Sequence, residues 1–207
     1  MRTVVLAGGV GGGRFARAVV ENVPPADVTV VGNVGDDLEV LGLHVSPDLD
    51  SVLYALAGLN DEERGWGRAD ETWRALDTVG TLGGETWFRL GDRDIGLHLV
   101  RTQALRAGRP LSEVTTRLTC ALGLETAILP ATDDLLRTWI DTPAGTFSLS
   151  AASTRISKPF ARRPIARPIL PKPTMPIVKP AMADSWSSPR PHSWSRWSCS
   201  KDRKSVV

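Results

Sequence analysis

Residues 6–15 read LAGGVGGGRF and place five glycines within six positions, directly after a short apolar run. Between a strand and a helix, bare backbone N–H groups and the positive end of the helix suit phosphate oxygens. Arg14 and Phe15 stand where a P-loop NTPase needs Lys and then Ser or Thr, and Arg14 also replaces the third glycine of the dinucleotide fingerprint. The alternative is that the glycines only permit a tight turn between strand and helix, but five glycines exceed what such a turn needs. The sequence therefore favours a phosphate site.

Pairs of carboxylates recur in predicted loops or helix starts, at Asp36–Asp37, Asp48–Asp50, Asp92–Asp94 and Asp133–Asp134. Since the carboxyl ends of parallel strands converge on the ligand crevice, we expect Asp36 and Asp133 to meet there. Carboxylates beside a phosphate suit Mg²⁺, which needs only one or two of them. Helix capping or a solvated loop is the alternative for each pair, and it is strongest for Asp48, in a first helical turn. His44 and His98 have no Ser or Cys partner that spacing nominates, so we interpret both as structural.

The first 37 residues have a Rossmann-like pattern. Residues 3–7 form an apolar run typical of a strand buried on both faces of a parallel sheet. A helix is predicted over residues 14–23, and a second β-branched run covers residues 28–31. This strand–helix–strand unit of about 30 residues requires a right-handed crossover. The predicted fold class is α/β, a Rossmann-like three-layer fold with a mainly parallel sheet whose C-terminal part is missing.

Helical periodicity continues downstream. Helices are predicted from Ser46, over 71–80, over 92–108 and over 111–123, followed by a strand leading into residues 131–134. In the helix over 92–108, Ile95, Leu99 and Leu105 are the predicted buried residues. Residues 137–150 are expected to form a β-hairpin that turns at positions 143–145.

Composition changes abruptly near residue 150. Residues 1–150 hold 13 Arg against 21 acidic residues and no Lys, whereas residues 151–207 hold 12 basic residues against two acidic ones and no Gly. We therefore predict two parts: residues 1–150 as the N-terminal part of the α/β domain, and residues 151–207 as a Pro/Ser/Arg-rich tail that is out of frame and disordered. A polyproline linker or a basic nucleic-acid-binding arm is the alternative for the tail.

Neither a membrane span nor a signal peptide is indicated, because no run of 18 apolar residues occurs and the N-terminus enters a strand pattern directly. Cys120 and Cys199 are the only cysteines, so neither a disulfide framework nor a metal-binding spacing exists. A cytoplasmic protein is the expectation.

Several long segments together carry a resemblance. LAGGVGGGRF, NVGDD, GLHVSPDLDSVLYALAGLNDEERGWG, DETWRALDTVG, WFRLGDRDIGLHLVRTQALRAGRPLSEVT and LPATDD are similar to the N-terminal part of the 2-phospho-L-lactate transferase family, which serves the biosynthesis of the deazaflavin coenzyme F-420. The likeness runs from Arg2 to about Ser150. Family members continue past the hairpin with further strands and helices, so we expect the activity of this chain to be impaired by truncation.

The resemblance implies a reaction. A phospholactyl or phosphoenolpyruvyl group would move from a guanosine diphospho-linked donor to the alcohol 7,8-didemethyl-8-hydroxy-5-deazariboflavin, releasing GMP. Mg²⁺ is the implied cofactor, since such transfers depend on positioning and charge neutralisation. Whether the donor carries lactate, enolpyruvate or glycerate stays open. The implied partners are these two small molecules, not nucleic acid or a membrane, and the resemblance leaves a homodimer of the intact enzyme open.

The resemblance also assigns residues. Asp50 and Arg89 would contact the deazaflavin, and we add the hypothesis that Asp50 is catalytic by orienting or deprotonating the attacking hydroxyl. Asp36 and Asp37 would bind the metal. The residues expected at the nucleotide and its phosphates are Gly8, Gly9, Gly11, Gly12 and Asn33.

Two other functions are compatible with parts of the sequence. A non-catalytic guanine-nucleotide-binding module with a basic tail would need the glycine run but not Asp50 or Arg89. An NAD(P)-dependent enzyme is disfavoured because the third fingerprint glycine is missing and Asn33 stands where a ribose-binding acid is expected.

Overall fold

The computed structural model describes residues 1–142 and 145–148. The elements in chain order are β1 (Thr3–Ala7), α1 (Gly9–Val20), a 3-10 turn (Pro25–Asp27), β2 (Val28–Gly32), β3 (Leu38–Val40), β4 (Leu43–Val45), α2 (Pro47–Ala57), α3 (Arg74–Thr81), α4 (Asp92–Arg106), α5 (Leu111–Ala121), β5 (Ala127–Pro130), β6 (Trp139–Thr142) and β7 (Gly145–Ser148).

A parallel sheet with the strand order β1–β2–β5 lies at the centre of this architecture. Thr3 is in register with Val28, and Val30 with Ile128. Helices flank the sheet, which confirms the predicted α/β, Rossmann-like class. Because the strands advance in one direction, right-handed crossovers place the connecting helices on one face. Residues of α1, α2, α4 and α5 accordingly share one hydrophobic core with β1, β2 and β5.

Burial on β1 alternates, so the prediction of a strand buried on both faces is wrong. Val5 and Ala7 are buried, whereas Val4 is 64% and Leu6 80% exposed. The reason is topological: every described helix that contacts the sheet core approaches from the side of Val5. The opposite face receives no helix from the described part of the chain.

The first helix begins five residues earlier than predicted, at Gly9 instead of Arg14. Its glycines are therefore part of the helix and allow close packing. A Cβ on Gly12 would lie 3.1 Å from the Ala7 Cα, and one on Gly13 would lie 2.9 Å from the Ser51 carbonyl oxygen. These two glycines let α1 lie directly against β1 and α2.

The core face of α4 differs from the prediction. Leu99 is 54% exposed, while Ile95 and Leu105 are only partly buried. The buried face is formed instead by Leu97 and Ala104 together with a polar set, Asp94, His98, Arg101 and Thr102. Hydropathy periodicity selects apolar residues, so it misses a core face that is partly charged.

Two antiparallel hairpins complete the described chain. β3 and β4 pair around Leu41 and Gly42, which both have positive φ, and pack with Leu90 in a second apolar cluster. β6 and β7 pair antiparallel, as predicted for the hairpin near residue 143. Its turn positions 143 and 144 lie outside the described residues.

The chain divides into two units, Met1–Pro159 and Phe160–Val207. The second unit lies entirely outside the described residues, and so does the predicted tail over 151–207. Of the helices that are described, none combines the length and the hydropathy needed to cross a membrane.

Gly13→Ala should lower the free energy of unfolding by about 1–3 kcal/mol, because the new methyl group would overlap the Ser51 carbonyl. Gly11→Ala is the matched control on the same helix: its Cβ would have no atom within 4 Å, so stability should stay equal or rise by up to about 1 kcal/mol. Urea unfolding followed by circular dichroism measures both. Equal effects of the two variants would contradict the close packing of α1.

Candidate functional site

The N-terminus of α1 is occupied by a carboxylate from another element. The Gly9 N–H donates a hydrogen bond to Asp48 Oδ1 at 2.8 Å, and Asn33 Nδ2 donates to Asp48 Oδ2 at 2.7 Å. The Asn33 Oδ1 atom accepts a hydrogen bond from the Gly35 N–H at 3.1 Å. Asp48 is therefore a helix cap, as the alternative interpretation held, but the helix that it caps is α1. An anionic oxygen is thus already bound at the positive end of α1.

The expected phosphate-binding glycines fall into two groups. Gly8 and Gly9 lie beside Asp48 and Asn33, and Gly9 has a φ of +63°, which favours glycine. Gly11 is exposed with open space where a Cβ would project. Gly12 packs against β1, so its missing side chain serves helix packing. The structure brings Gly8, Gly9 and Asn33 together around one anionic group.

Asp37 is buried within a polar triad. Its Oδ2 atom accepts a hydrogen bond from the Ser46 hydroxyl at 2.8 Å and lies 3.0 Å from His44 Nε2. Its Oδ1 atom is buried and has no hydrogen-bond partner within the described part of the chain. His44, interpreted from the sequence as structural, thus contacts one of the two predicted metal ligands.

Asp36 and Asp133, which the sequence predicted to meet, bind different partners. Asp36 Oδ1 accepts a hydrogen bond from the Thr138 hydroxyl at 3.2 Å. Asp133 accepts hydrogen bonds from the Ser112 N–H at 2.7 Å and the Ser112 hydroxyl at 2.9 Å, at the start of α5. Asp133 therefore stabilises a helix terminus, and Thr138 is the neighbour that the chain supplies to Asp36.

Asp50 forms a buried ion pair that joins α2 to α4. Both carboxylate oxygens accept hydrogen bonds from Arg101: Nη1 lies 3.0 Å from Oδ2, and Nη2 bonds Oδ1. Arg101 is fully buried and Asp50 is 5% exposed. Burial by itself would lower the pKa of Arg101. The charge and hydrogen bonds of Asp50, together with the electrostatic effects of Tyr54 and Asp37, outweigh burial and raise this pKa. The guanidinium is thus a permanent cation that holds Asp50 in one orientation.

His98 lies against the same ion pair. Its Nδ1 atom is 3.3 Å from Arg101 Nη1 and 3.8 Å from Asp50 Oδ2. Burial, assisted by the Arg101 charge and opposed by Asp50, lowers the pKa of His98 from 6.5 to about 4. At neutral pH the ring is therefore uncharged and can accept a hydrogen bond from Arg101.

A second set of hydrogen bonds joins α2 to the start of α4. The Tyr54 hydroxyl donates to Asp94 Oδ1 at 2.6 Å, and Glu71 accepts hydrogen bonds from the Arg93 and Asp94 N–H groups at 2.9 and 3.0 Å. Burial, with the charges of Asp50 and Asp94, raises the pKa of Tyr54 far above its usual range. Burial also raises the pKa of Asp94. Tyr54 therefore stays protonated and acts as a donor.

Arg89, the expected deazaflavin contact, belongs to an alternating stack of cations and indoles. Its guanidinium lies 4.6 Å from the ring centroid of Trp73. The guanidinium of Arg64 lies 5.2 Å from Trp73 and 4.9 Å from Trp66. Arg89 is exposed at one end of this stack, and Trp66 is 41% exposed at the other. Cation–π attraction holds the four planar groups together.

Most of the predicted site residues thus lie in four environments: the α1 terminus, the Asp37 triad, the Asp50 cluster and, for Arg89, the indole stack. The Asp37 triad and the Asp50 cluster are close enough for Asp37 to act electrostatically on Arg101. Within residues 1–142 and 145–148 there is no group of three or more His, Cys, Asp or Glu side chains that could hold a metal ion. A pair of carboxylates is nevertheless sufficient for Mg²⁺, which keeps several of its waters.

Comparison with known families now identifies the chain. The model of the family described as 2-phospho-L-lactate transferase CofD matches residues 3–184. The chain belongs to the CofD family. That match extends past the change in composition near residue 150, at which the resemblance was expected to end. The frameshift hypothesis for the tail stays a prediction.

Curated relatives carry a related name. Proteins called phosphoenolpyruvate transferase from Streptomyces griseus, Thermobifida fusca and Mycobacterium bovis are 50%, 46% and 45% identical over 141, 149 and 154 residues. These matches cover 68% of this chain and 44–46% of the relatives, so the chain spans about half their length. A solved UPF0052-family protein from Bacillus halodurans is 17% identical with a TM-score of 0.40, covering 72% of this chain and 45% of that one.

Sequence reasoning missed several residues of this candidate site. Arg101, Tyr54 and His98 surround Asp50, yet only tertiary packing pairs them. A signal was present in α4, where Asp94, His98 and Arg101 recur at the three- and four-residue spacing of one helix face. Three ionisable residues on one face of a helix that must cover a sheet would have indicated a buried polar cluster.

Removing Arg101 should destabilise the fold strongly. We expect Arg101→Met to lower the free energy of unfolding by about 3–5 kcal/mol, because Asp50 keeps a buried charge without a partner. Asp50→Asn/Arg101→Met should recover at least about 1 kcal/mol of this loss in a double-mutant cycle measured by urea unfolding. The exposed Arg17–Glu21 pair provides a matched control, since Arg17→Met should change stability by less than about 1 kcal/mol. Strict additivity of the two substitutions would contradict the coupling.

The low pKa of His98 makes stability depend on pH. The unfolded chain takes up the His98 proton near pH 6.5 and the folded chain only near pH 4, so stability is complete above about pH 6.5 and falls as the pH decreases towards 4. The His98 contribution to this loss is on the order of 3 kcal/mol. Unfolding curves recorded between pH 4 and pH 8 measure it. If the unfolding free energy of His98→Gln changes with pH as steeply as that of the wild type, groups other than His98 cause the pH dependence.

Proposed function

We propose that this chain carries the N-terminal part of a transferase site that moves a phosphoenolpyruvyl or phospholactyl group from a guanosine diphospho-linked donor to the alcohol 7,8-didemethyl-8-hydroxy-5-deazariboflavin, with release of GMP. The observation that carries the proposal is the anion-binding arrangement at the α1 terminus, where the Gly9 N–H and the Asn33 amide both bind a carboxylate. A phosphate presents the same kind of oxygen to such donors. Membership of the CofD family supports the reaction class.

The donor phosphates would bind at the exposed edge of this arrangement. Gly8 and Gly9 frame the amide, and Gly11 leaves open space next to it. The Asp48 carboxylate already accepts the hydrogen bond of the first amide of α1. A diphosphate that binds beside this carboxylate therefore needs an additional positive charge. The name shared by the curated relatives favours enolpyruvate as the three-carbon group of the donor.

Asp36 and Asp37 fit the Mg²⁺ that would supply that charge. The buried Oδ1 atom of Asp37 has no partner among the described residues, and an unpaired buried carboxylate oxygen is a hard ligand of the type Mg²⁺ prefers. Ser46 and His44 hold the other oxygen and thereby fix the carboxylate. When bound, Mg²⁺ would neutralise charge on the phosphate oxygens.

The chemical step is an attack of the terminal ribityl hydroxyl on the phosphorus that bears the three-carbon group. A bond forms between this phosphorus and the hydroxyl oxygen, and the bond from the phosphorus to the bridging oxygen of GMP breaks, with the electron pair leaving on GMP. The proton of the attacking hydroxyl would pass to Asp50. Asp50 would accept a hydrogen bond from the hydroxyl and orient it, since Arg101 holds both carboxylate oxygens in position. Arg89 would contact the deazaflavin.

Incubating the 207-residue chain with guanosine diphospho-linked enolpyruvate, the deazaflavin alcohol and Mg²⁺ should yield GMP and the phosphodiester product in equal amounts, at the reduced rate expected of a chain that carries only the N-terminal part of the site. Liquid chromatography and mass spectrometry measure both products. Chelation with EDTA should abolish both products. Guanine-nucleotide binding without any GMP release would overturn the transferase proposal in favour of a binding module.

Asp50→Asn should reduce turnover by about 100-fold or more, as expected for a lost group that handles the reacting proton, while the donor Kd changes by less than about threefold. The unchanged Kd also verifies that the variant is folded. Asp77→Asn, which removes an exposed carboxylate on α3, is the matched control and should keep full turnover. If Asp50→Asn lowers turnover and donor affinity by similar factors, Asp50 has no role in the chemical step.

A further inference from the structure

The loop that follows β2 is held by a threonine from the segment between β5 and β6. The Thr138 N–H and the Thr138 hydroxyl both donate hydrogen bonds to the Gly35 carbonyl oxygen, at 2.8 and 2.9 Å. The same hydroxyl lies 3.2 Å from Asp36 Oδ1, so its proton is shared between two acceptors. Thr138 therefore fixes the peptide group between Gly35 and Asp36 and, in addition, the Asp36 carboxylate.

The loop is also held from within. The Asp37 N–H donates to the carbonyl oxygen three residues earlier at 3.2 Å, which closes a turn with Gly35 and Asp36 at its centre. The Gly35 N–H donates to Asn33 Oδ1 at 3.1 Å. A Cβ on Gly35 would lie 3.2 Å from the Thr138 hydroxyl oxygen and 3.3 Å from Asn33 Oδ1. The lack of a side chain at Gly35 thus permits the close approach of Thr138.

The sheet topology explains why Thr138 reaches this loop. β2 and β5 are parallel neighbours, and their pairing continues past the last residue of β5, since the Ala131 N–H donates to the Gly32 carbonyl oxygen at 2.9 Å. The segments that follow the two strands therefore start side by side at the carboxyl edge of the sheet, where ligands of such folds bind. Thr138, and not Asp133, is the residue of the second segment that contacts Asp36.

We propose that Thr138 is a positioning residue for the divalent cation: its hydroxyl holds the Asp36 carboxylate in the orientation that binds the ion. The proposal rests on the proposed function, which assigns Mg²⁺ to Asp36 and Asp37. A hydrogen-bond donor behind a ligating carboxylate orients the ligand before the ion binds, and the loss of such a donor typically weakens metal affinity by roughly 10- to 100-fold.

The two adjacent carboxylates are held in the same manner. Thr138 holds Oδ1 of Asp36, so Oδ2 is the oxygen that Asp36 can turn towards a cation. Ser46 and His44 hold Oδ2 of Asp37, whose Oδ1 atom is buried and has no hydrogen-bond partner among the residues that the structure describes. The Asp37 side chain is only 6% exposed, so a cation would stabilise this oxygen. The unpaired Asp37 oxygen is the independent observation that points to an ion.

The test is a titration of the 207-residue chain with Mn²⁺, which binds the same oxygen ligands as Mg²⁺ and whose free concentration is measured by electron paramagnetic resonance. The wild type should show a saturable site from which Mg²⁺ displaces Mn²⁺. Thr138→Val keeps the N–H and the shape but removes the hydroxyl, and it should raise the Kd for Mn²⁺ by about tenfold or more. Thr138→Ser keeps the hydroxyl donor and should stay within about threefold of the wild type.

Three further variants complete the experiment. Asp36→Asn should weaken Mn²⁺ binding, because it removes the charge that Thr138 positions. Gly35→Ala should also weaken it, because the new methyl group would displace the Thr138 hydroxyl. Thr116→Val is the matched control: it removes an exposed threonine hydroxyl that donates to the Ser112 carbonyl oxygen on α5, and it should bind Mn²⁺ like the wild type. The urea midpoint of Thr138→Val should stay close to that of the wild type, which separates positioning from unfolding.

Wild-type Mn²⁺ affinity in Thr138→Val would overturn the proposal, and so would a Thr138→Ser variant that binds as weakly as Thr138→Val. The absence of saturable Mn²⁺ binding by the wild-type chain would overturn it as well. Mn²⁺ binding that depends on Thr138, in a chain that releases no GMP from the donor, would support the positioning role and contradict the transferase function. GMP release by a chain whose Mn²⁺ affinity is independent of Thr138 would do the reverse.

Discussion

The close approach of α1 to β1 and α2 is the constraint on which the rest of the structure depends. It exists because Gly12 and Gly13 have no side chain where Ala7 and Ser51 lie about 3 Å from the missing Cβ atoms. At this separation the carboxylate of Asp48 on α2 can reach the first amide of α1. The anion-binding terminus is therefore a consequence of helix packing.

A second constraint is the polar seam between α2 and α4. Burying Arg101 completely would be unfavourable without a partner, and Asp50 provides two hydrogen bonds to it. The seam continues through Tyr54 and Asp94, whose hydrogen bond ties the two helices together a second time. A residue proposed to act on the substrate is thereby also structural, which is why unfolding and turnover must be measured on the same variants.

Much of the fold could be predicted from the sequence, because strands and helices leave local periodicity. The parallel β1–β2 pair, the later helices and the hairpin at residues 139–148 follow from apolar spacing and turn residues. The predictions of where α1 starts and of how β1 is buried were wrong for a different reason. Both depend on what packs against them: the glycines are helical because β1 and α2 fit against them, and β1 is half exposed because every described helix lies on one side.

The chemistry divides in the same way. The sequence by itself determined the family, through long matching segments. It also showed the residue types that could bind phosphate and Mg²⁺, since glycine runs and aspartate pairs are recognised without coordinates. Only the tertiary structure decided their partners: Asp48 at the Gly9 amide and Arg101 on Asp50. The physical reason is that hydrogen bonds and ion pairs act over about 3 Å between residues as many as 103 positions apart, and only packing sets such distances.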